Sequence, residues 1–285
     1  MQNILEETNF ILKKYNIKAN KSLGQNFLVN QNVIDEIVDS ADIDKNDLVI
    51  EIGPGLGTLT KHLLEKAGKV ICIELDERMV KILNDRFSLY ENFEIINEDV
   101  LKVNLNEIIE KENKTCKIVA NLPYYITTPI IMKLLESKLK IESITVMIQK
   151  EVAERLIANP GEKLAGAITY TVYYYCESEK VLEVPNSSFL PEPEVTSEVI
   201  KMKLRTELAV NVKDKQKMFA IIKAAFMQRR KTLLNSLTNG KIFSSKQTAI
   251  EIFEKLNINQ NSRAEELTLE KFAEIADCIL EEEEK

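Results

Sequence analysis

A chain of 285 residues that is 45% hydrophobic and 29% charged can bury the core of one large or two modest domains, and no apolar run reaches the ~18 residues of a membrane span. Four cysteines (Cys72, Cys116, Cys176, Cys278) lie far apart with no C-x-x-C pair, and MQNILEETNF lacks the basic-then-apolar pattern of a secretory leader. A disulfide framework, a metal site and a secreted protein are therefore not expected, and reduced thiols in the cytoplasm are.

The formal net charge of -7 argues against a polyanionic partner only until its distribution is read. Residues 8–34 carry Lys13, Lys14, Lys18 and Lys21 with no acid, forming a basic N-terminal arm. From about 47 to 149, strand-like runs alternate with amphipathic helical patterns such as LTKHLLEKA and ERMVKILNDRF. DLVIEIG (47–53), KVICIEL (69–75), FEIINED (93–99), KIVANL (117–122) and ESITVMI (142–148) each read as a buried strand. Strands separated in this way by helices predict a parallel, doubly wound α/β sheet. Thr127 or Thr128, followed by Pro129, predicts a helix start whose hydroxyl caps free backbone donors.

LAGAITYTVYYYC (164–176) has strand composition, but Leu164, Ile168, Thr171, Val172 and Tyr175 share one helical face, which predicts a helix. KVLEVP (180–185) and SEVIKMKLR (197–205) add two strands, about seven in all. From about 213 only helical patterns remain, including KMFAIIKAAFMQ, AIEIFEKL and LEKFAEIADCIL. The pattern shift at 206–212 predicts an α/β domain with its basic arm over 1–207 and a helical domain over 208–285. Residues 199–231 hold seven lysines and three arginines against Glu207 and Asp214, whereas 265–285 hold nine acids and two bases. Charge segregated along the chain can make a basic face on an acidic protein, the footprint of a phosphate backbone. It can also be three ordinary solvated surfaces.

The strongest local feature is VIEIGPGLGTLT (49–60), a strand running into Gly53, Gly55 and Gly57 and then a helix. Glycines permit positive φ and let backbone approach a nucleotide closely. Thr58 stands where a dinucleotide fingerprint wants glycine or alanine, and the G-K-S/T of a phosphate loop is absent. Glu74 ends the next strand, where a carboxylate can accept from both ribose hydroxyls, and Asp99 closes the third, where it can accept from an adenine amine. Singly, Glu74 could be a surface acid and Asp99 a helix cap. Together with the glycine loop they suit a charged nucleoside without pyrophosphate, S-adenosylmethionine. Glu51, just before the glycines, is placed to orient the loop or the methionine amine. His62 reads as a packing or surface residue.

The fourth strand ends in ANLPYYITTPI, where Asn121, Leu122, Pro123 and Tyr124 resemble the N/D-x-P-Y/F/W signature of methyltransferases acting on exocyclic amines. Adenine's amine is conjugated with its ring and is a poor nucleophile. If the Asn121 side-chain oxygen and the Leu122 carbonyl accept its two N–H bonds, the nitrogen can pyramidalise toward a methyl sulfonium. Proline stiffens the carbonyl's aim, and Tyr124 can stack on the base. Orientation and these acceptors then carry the step without a strong base.

Seven ordered motifs make the chain similar, over nearly its whole length, to the small-subunit (16S-type) ribosomal RNA adenine dimethyltransferases, the kasugamycin-sensitivity family. They are KSLGQNFL (21–28), the glycine loop, the Glu74 and Asp99 strand ends, NLPYYITTPI, MIQKEVAERL (147–156), FLPEPEVTSEV (189–199) and FMQRRKTLLNSL (226–237). The resemblance implies a seven-stranded Rossmann-like S-adenosylmethionine-dependent methyltransferase sheet with a small C-terminal all-helical domain. It implies two methyl transfers onto each of two neighbouring adenosines near the 3′ end of small-subunit RNA, with a role in subunit biogenesis. The implied partner is ribosomal RNA in the small subunit or its precursor, met by a protein that is monomeric when free and touches no membrane.

Carried over by motif, Asn26 and Leu28 would lie against the cofactor, and Gly53, Gly55, Glu74, Asp99 and Asn121 would contact it or the transfer site. Phe189 would stack on the target base opposite Tyr124, or else anchor a proline turn in the core. Arg229, Arg230 and Lys231, inside the basic stretch, are expected to meet RNA phosphates. A large-subunit methyltransferase of the macrolide-resistance type shares the cofactor and amine motifs, but R-R-K-T-L-x-N-S-L and the pI of about 5.2 favour the small-subunit family. An assembly factor without catalysis would not need the intact Asn121–Tyr124 turn. A small-molecule methyltransferase would leave the basic helical segment unexplained.

Overall fold

The computed structural model describes residues 3–20, 24–137, 139–228 and 230–283. The chain forms two compact units, one from Met1–Ala153 with Ser178–Leu204 and one from Glu154–Glu177 with Arg205–Lys285.

The first unit opens with α1 (Ile4–Lys14), a two-residue β1 (Phe27–Leu28) and α2 (Gln31–Ser40). Strands and helices then alternate as β2 (Leu48–Ile52), α3 (Thr58–Lys66), β3 (Lys69–Glu74), α4 (Glu77–Phe87), β4 (Phe93–Asn97), α5 (Leu105–Glu112), β5 (Cys116–Asn121), α6 (Thr127–Glu136) and β6 (Ile141–Gln149). The chain passes into the second unit within α7 (Lys150–Ile157). It forms α8 (Ala167–Tyr175) and returns through β7 (Cys176–Val184), β8 (Phe189–Leu190) and β9 (Ser197–Leu204). The seven-stranded sheet has the order β4-β3-β2-β5-β6-β9-β7. Pairs from β4 through β6 are parallel, and β9 runs antiparallel to β6. β2 is buried at all five positions because helices cover both faces, which is why LVIEI has no polar alternation apart from Glu51. Strand order reverses between β2 and β5, and an open α/β sheet presents its crevice outside the carboxyl ends of such neighbours.

Thr127 and Pro129 do open a helix, but by another route than side-chain capping. α6 starts at Thr127 with Ile126 as its N-cap, and the Thr127 hydroxyl donates to the Pro123 carbonyl at 3.2 Å.

The second unit adds α9 (Lys215–Phe226), α10 (Leu233–Asn239), α11 (Lys246–Lys255) and α12 (Leu269–Glu283) to α8. The tyrosine run 173–175 is helical, and its neighbour Tyr170 is fully buried among Ile221, Leu237, Phe253 and Phe272. The Tyr170 hydroxyl donates to the carbonyls of Leu267 (2.6 Å) and Ala264 (3.2 Å). Composition left residues 154–177 with the sheet, whereas this packing makes them part of the helical unit. Among the described residues no helix is long and apolar enough to cross a membrane. All four cysteines are buried and free.

Candidate active site

The turns that leave β2, β3, β4 and β5 line one cavity of about 1100 Å³ counting its open mouth, and residues Gly24–Leu28 supply a further wall. Its lining includes Asn26, Leu28, Gly53, Gly55, Glu74, Asp99, Asn121, Leu122 and Tyr124, so residues drawn from five separate segments meet in one place.

Gly53 and Gly55 adopt φ of +66° and +57°, in the left-handed region that glycine enters at no steric cost. Gly57, the N-cap of α3, has φ +80°, and a Cβ there would lie 2.5 Å from Phe87 Cε2 and 2.7 Å from Leu83 Cδ2. α4 therefore packs directly on the loop's backbone. The loop is pinned by Gly53 N–H donating to the Ile73 carbonyl (3.0 Å) and Gly57 N–H donating to that of Pro54 (2.9 Å). The Arg86 guanidinium donates to the Leu56 carbonyl and pairs with Glu7 of α1.

Glu74 is 8% exposed. Its Oε2 accepts from Gly55 N–H (3.2 Å) and its Oε1 from Asp76 N–H (2.8 Å). Burial pushes the carboxyl's pKa up against those two bonds. Each oxygen keeps a lone pair for a hydroxyl donor. Asp99 turns one oxygen onto Leu101 N–H at 2.9 Å and keeps the other, as a strand-end acid that both caps and lines the cavity. Glu51 is deeper, 2% exposed, with the Thr60 hydroxyl donating to its Oε2 at 2.6 Å and the Cys72 thiol 3.5 Å away. Loss of hydration raises its pKa to about 7.

The wall at Gly24–Leu28 is tied down by a residue that the motif reading passed over. Gln25 accepts from Asn20 N–H (2.8 Å) and donates to Asp76 (3.0 Å), on the turn after Glu74. The Asn26 carbonyl accepts from the Asn121 side-chain amide at 3.2 Å. The turn after β5 is stiffened by Leu122 N–H donating to Met147 (3.1 Å) and by Ile126 N–H donating to the Pro123 carbonyl (3.2 Å). Tyr124 is half-buried, its hydroxyl 2.6 Å from Ser197 Oγ, and desolvation raises its pKa.

Phe189 is not brought to this cavity. It is 3% exposed, pairs with Leu28 across the β1–β8 ladder and packs with Met147, Val184 and Val199 in the core. It therefore fits the anchoring alternative better than the stacking one. In the helical unit, Arg230 and Lys231 are exposed in the turn between α9 and α10, while Arg229 lies outside the described residues, as does Lys21 of the N-terminal arm. Much of the basic stretch is already partnered: Lys213 with Glu281 (3.0 Å), Arg205 with Glu177 (2.9 Å), Lys217 with Glu283, and Lys201 with Asp42. Ser197 and Gln25 are the site residues that sequence reasoning missed. The polar residue inside GQNFL was the signal for Gln25, and Ser197 lies inside the FLPEPEVTSEV motif, where nothing local tells its partner.

The profile of the family described as ribosomal RNA adenine dimethylase matches residues 16–281. A ribosomal RNA small subunit methyltransferase A of Alkaliphilus metalliredigens is 50% identical over 269 residues, covering 94% of each chain. The protein of the same name in Clostridium botulinum is 46% identical over 272 residues, 95% of this chain and 98% of that one. Among solved structures, a dimethyladenosine transferase from Plasmodium falciparum superposes with a TM-score of 0.74 at 28% identity, over 87% of this chain and 95% of that one. A 23S rRNA methyltransferase superposes with a TM-score of 0.69 at 23% identity, over 89% of this chain and 99% of that one, and shares the fold.

Proposed function

The chain belongs to the ribosomal RNA adenine dimethylase family, and from that premise we infer that it uses S-adenosylmethionine to dimethylate the exocyclic amines of two adjacent adenosines near the 3′ end of small-subunit ribosomal RNA, a step in building that subunit. The observation that carries the reading is the meeting of the Asn121–Tyr124 turn with the glycine loop, Glu74 and Asp99 around one cavity. When bound, S-adenosylmethionine supplies an electrophilic methyl on a sulfonium sulfur. Gly53 and Gly55 let the backbone close on it, Glu74 takes the ribose hydroxyls, Asp99 takes the adenine amine, and Asn26 and Leu28 close the near wall.

On the substrate side, the Asn121 oxygen and the Leu122 carbonyl accept the two N–H bonds of the target amine, and Tyr124 stacks on its ring. These acceptors would aim the nitrogen's lone pair at the methyl that the bound cofactor supplies, so that an N–C bond would form as the S–C bond breaks and one amine proton would leave to water. Phe189 supports Leu28 from behind. Holding a single adenine this way requires it to leave its RNA stack at a cost of a few kcal/mol, and stacking on the tyrosine returns about 1–3 kcal/mol. Arg229, Arg230 and Lys231 meet phosphates. The reading extends to a protein that is monomeric when free and acts in the cytoplasm on the subunit or its precursor.

The test is transfer of labelled methyl from S-adenosylmethionine to small and large ribosomal subunits of an under-methylated strain, followed by nucleoside analysis. Dimethyladenosine in small-subunit RNA alone is expected. Label in large-subunit RNA would instead assign the resistance-type substrate, and no label with cofactor bound would leave an assembly factor.

A further inference from the structure

Two methyl groups go onto each amine, and the second transfer meets a different substrate from the first. Adenine offers two N–H bonds to the two acceptors at Asn121 and Leu122. After one methyl is added only one N–H remains, so one acceptor loses its partner and the base is held more by its stacking surface. That surface is Tyr124, and its ring is fixed at the far end by a bond from outside the turn.

The Tyr124 hydroxyl lies 2.6 Å from Ser197 Oγ. Ser197 is fully buried, at the first position of β9 and paired with Gln149 at the end of β6. β6 in turn pairs with β5, Asn121 opposite Met147. The sheet therefore sets the distance between Ser197 and the turn, and the serine hydroxyl holds the tyrosine ring by its tip while proline holds it by its base.

We propose that Ser197 is a positioning residue for the second methyl transfer, acting by locking the plane of Tyr124 against which the monomethylated base is stacked. The inference rests on the roles given above to Asn121, Leu122 and Tyr124. In that second step the amine nitrogen forms another N–CH3 bond as the methyl's bond to the sulfonium sulfur breaks. The electron pair stays on sulfur, which becomes a neutral thioether, and the nitrogen's last proton leaves to water. Desolvation of the Tyr124 hydroxyl is consistent with this role, because the bond to Ser197 is the partner that replaces its water.

The experiment is a time course on under-methylated small subunits with the full chain and S-adenosylmethionine, resolving monomethyl- from dimethyladenosine. Ser197→Ala, Tyr124→Phe and the double variant are compared with the unmodified chain. Each single change removes the same hydrogen bond from one side, and a hydrogen bond of ordinary worth predicts that the second transfer slows about three- to tenfold more than the first. Monomethyladenosine should then accumulate. The double variant should be no worse than either single one, because both remove one interaction. A mono-to-dimethyl ratio unchanged in Tyr124→Phe, or effects that add in the double variant, would overturn the proposal. If Ser197→Ala loses cofactor binding or unfolds, Tyr124→Phe, which keeps the ring, decides alone. Absence of any methyladenosine from the unmodified chain would overturn the functional reading itself, and this inference with it.

Discussion

If the Asn121 oxygen accepts one N–H of the target amine, removing the side chain takes away an interaction realised at the moment of transfer, and on the cofactor side it removes the bond to the Asn26 carbonyl while the contacts of Glu74 and Asp99 stay in place. Asn121→Ala is expected to bind S-adenosylmethionine nearly as before while turnover falls by about a hundredfold or more, measured by calorimetry beside single-turnover methyl transfer. Full activity would remove the amine-acceptor mechanism. Glu51 gives a prediction in pH. Its carboxyl has a folded-state pKa of about 7 against an ordinary 4.5, so the folded chain holds that proton more tightly than the unfolded one. Stability from this group is present below about pH 4.5 and is lost as pH rises through about 7, amounting to roughly 3 kcal/mol. Glu51→Gln should flatten that decline in urea midpoints of the cofactor-free protein between about pH 5 and pH 8, whereas parallel curves for the two proteins would refute the assignment. At this scale the meeting of Gly53, Gly55, Glu74, Asp99 and Asn121 in one cavity was legible in sequence because each lies at or just past a strand end in a local motif. The role of Ser197 was not, since its partner is 73 residues away, and Gln25 reaches 51 residues to Asp76.

The glycine loop and α4 are one packed object, which makes Gly57 a test at the level of elements. A Cβ at this position meets two side chains of α4 at under 3 Å, on a backbone already at φ +80°. Gly57→Ala should cost about 1–3 kcal/mol in urea unfolding and lower cofactor affinity as well. An alanine variant with unchanged midpoint and affinity would mean that α4 is free to move away. Periodicity found the sheet and all its long strands, because buried parallel strands separated by amphipathic helices leave a strong pattern. It also found that the tyrosine-rich segment is a helix. It did not find β1 and β8, whose two residues each carry no period and owe their pairing to a long return of the chain. Nor did it place α8 in the helical unit, because a helix face says what it is buried by only when the partner is known. The Thr127 hydroxyl shows the same limit, since a threonine near a helix start can bond backward as readily as forward.

For the whole molecule the quantity to measure is the salt dependence of RNA binding. Each phosphate contact contributes to the slope of log affinity against log salt, so replacing Arg229, Arg230 and Lys231 with alanine should reduce that slope by about two to three and weaken binding across sequences alike. An unchanged slope would move the phosphate contacts elsewhere. Sequence suggested a basic stretch and an acidic tail as separate surfaces, and folding brings part of each together. α12 ends in acids with no base in its last turn, an unfavourable arrangement for a helix C-terminus, and Lys213, Lys217 and Lys255 come to those carboxylates. The helical unit thereby carries a tethered competitor for its own lysines. Carboxylates attached to the same chain act at an effective concentration on the order of millimolar or more, and any polyanion must displace them before it gains those cations. Weak, indiscriminate RNA contacts should lose more by this than a substrate anchored elsewhere, and the tail is then expected to lower nonspecific binding. Glu281→Gln with Glu283→Gln should therefore raise affinity for unrelated RNA severalfold more than affinity for the under-methylated subunit, read by competition at low salt.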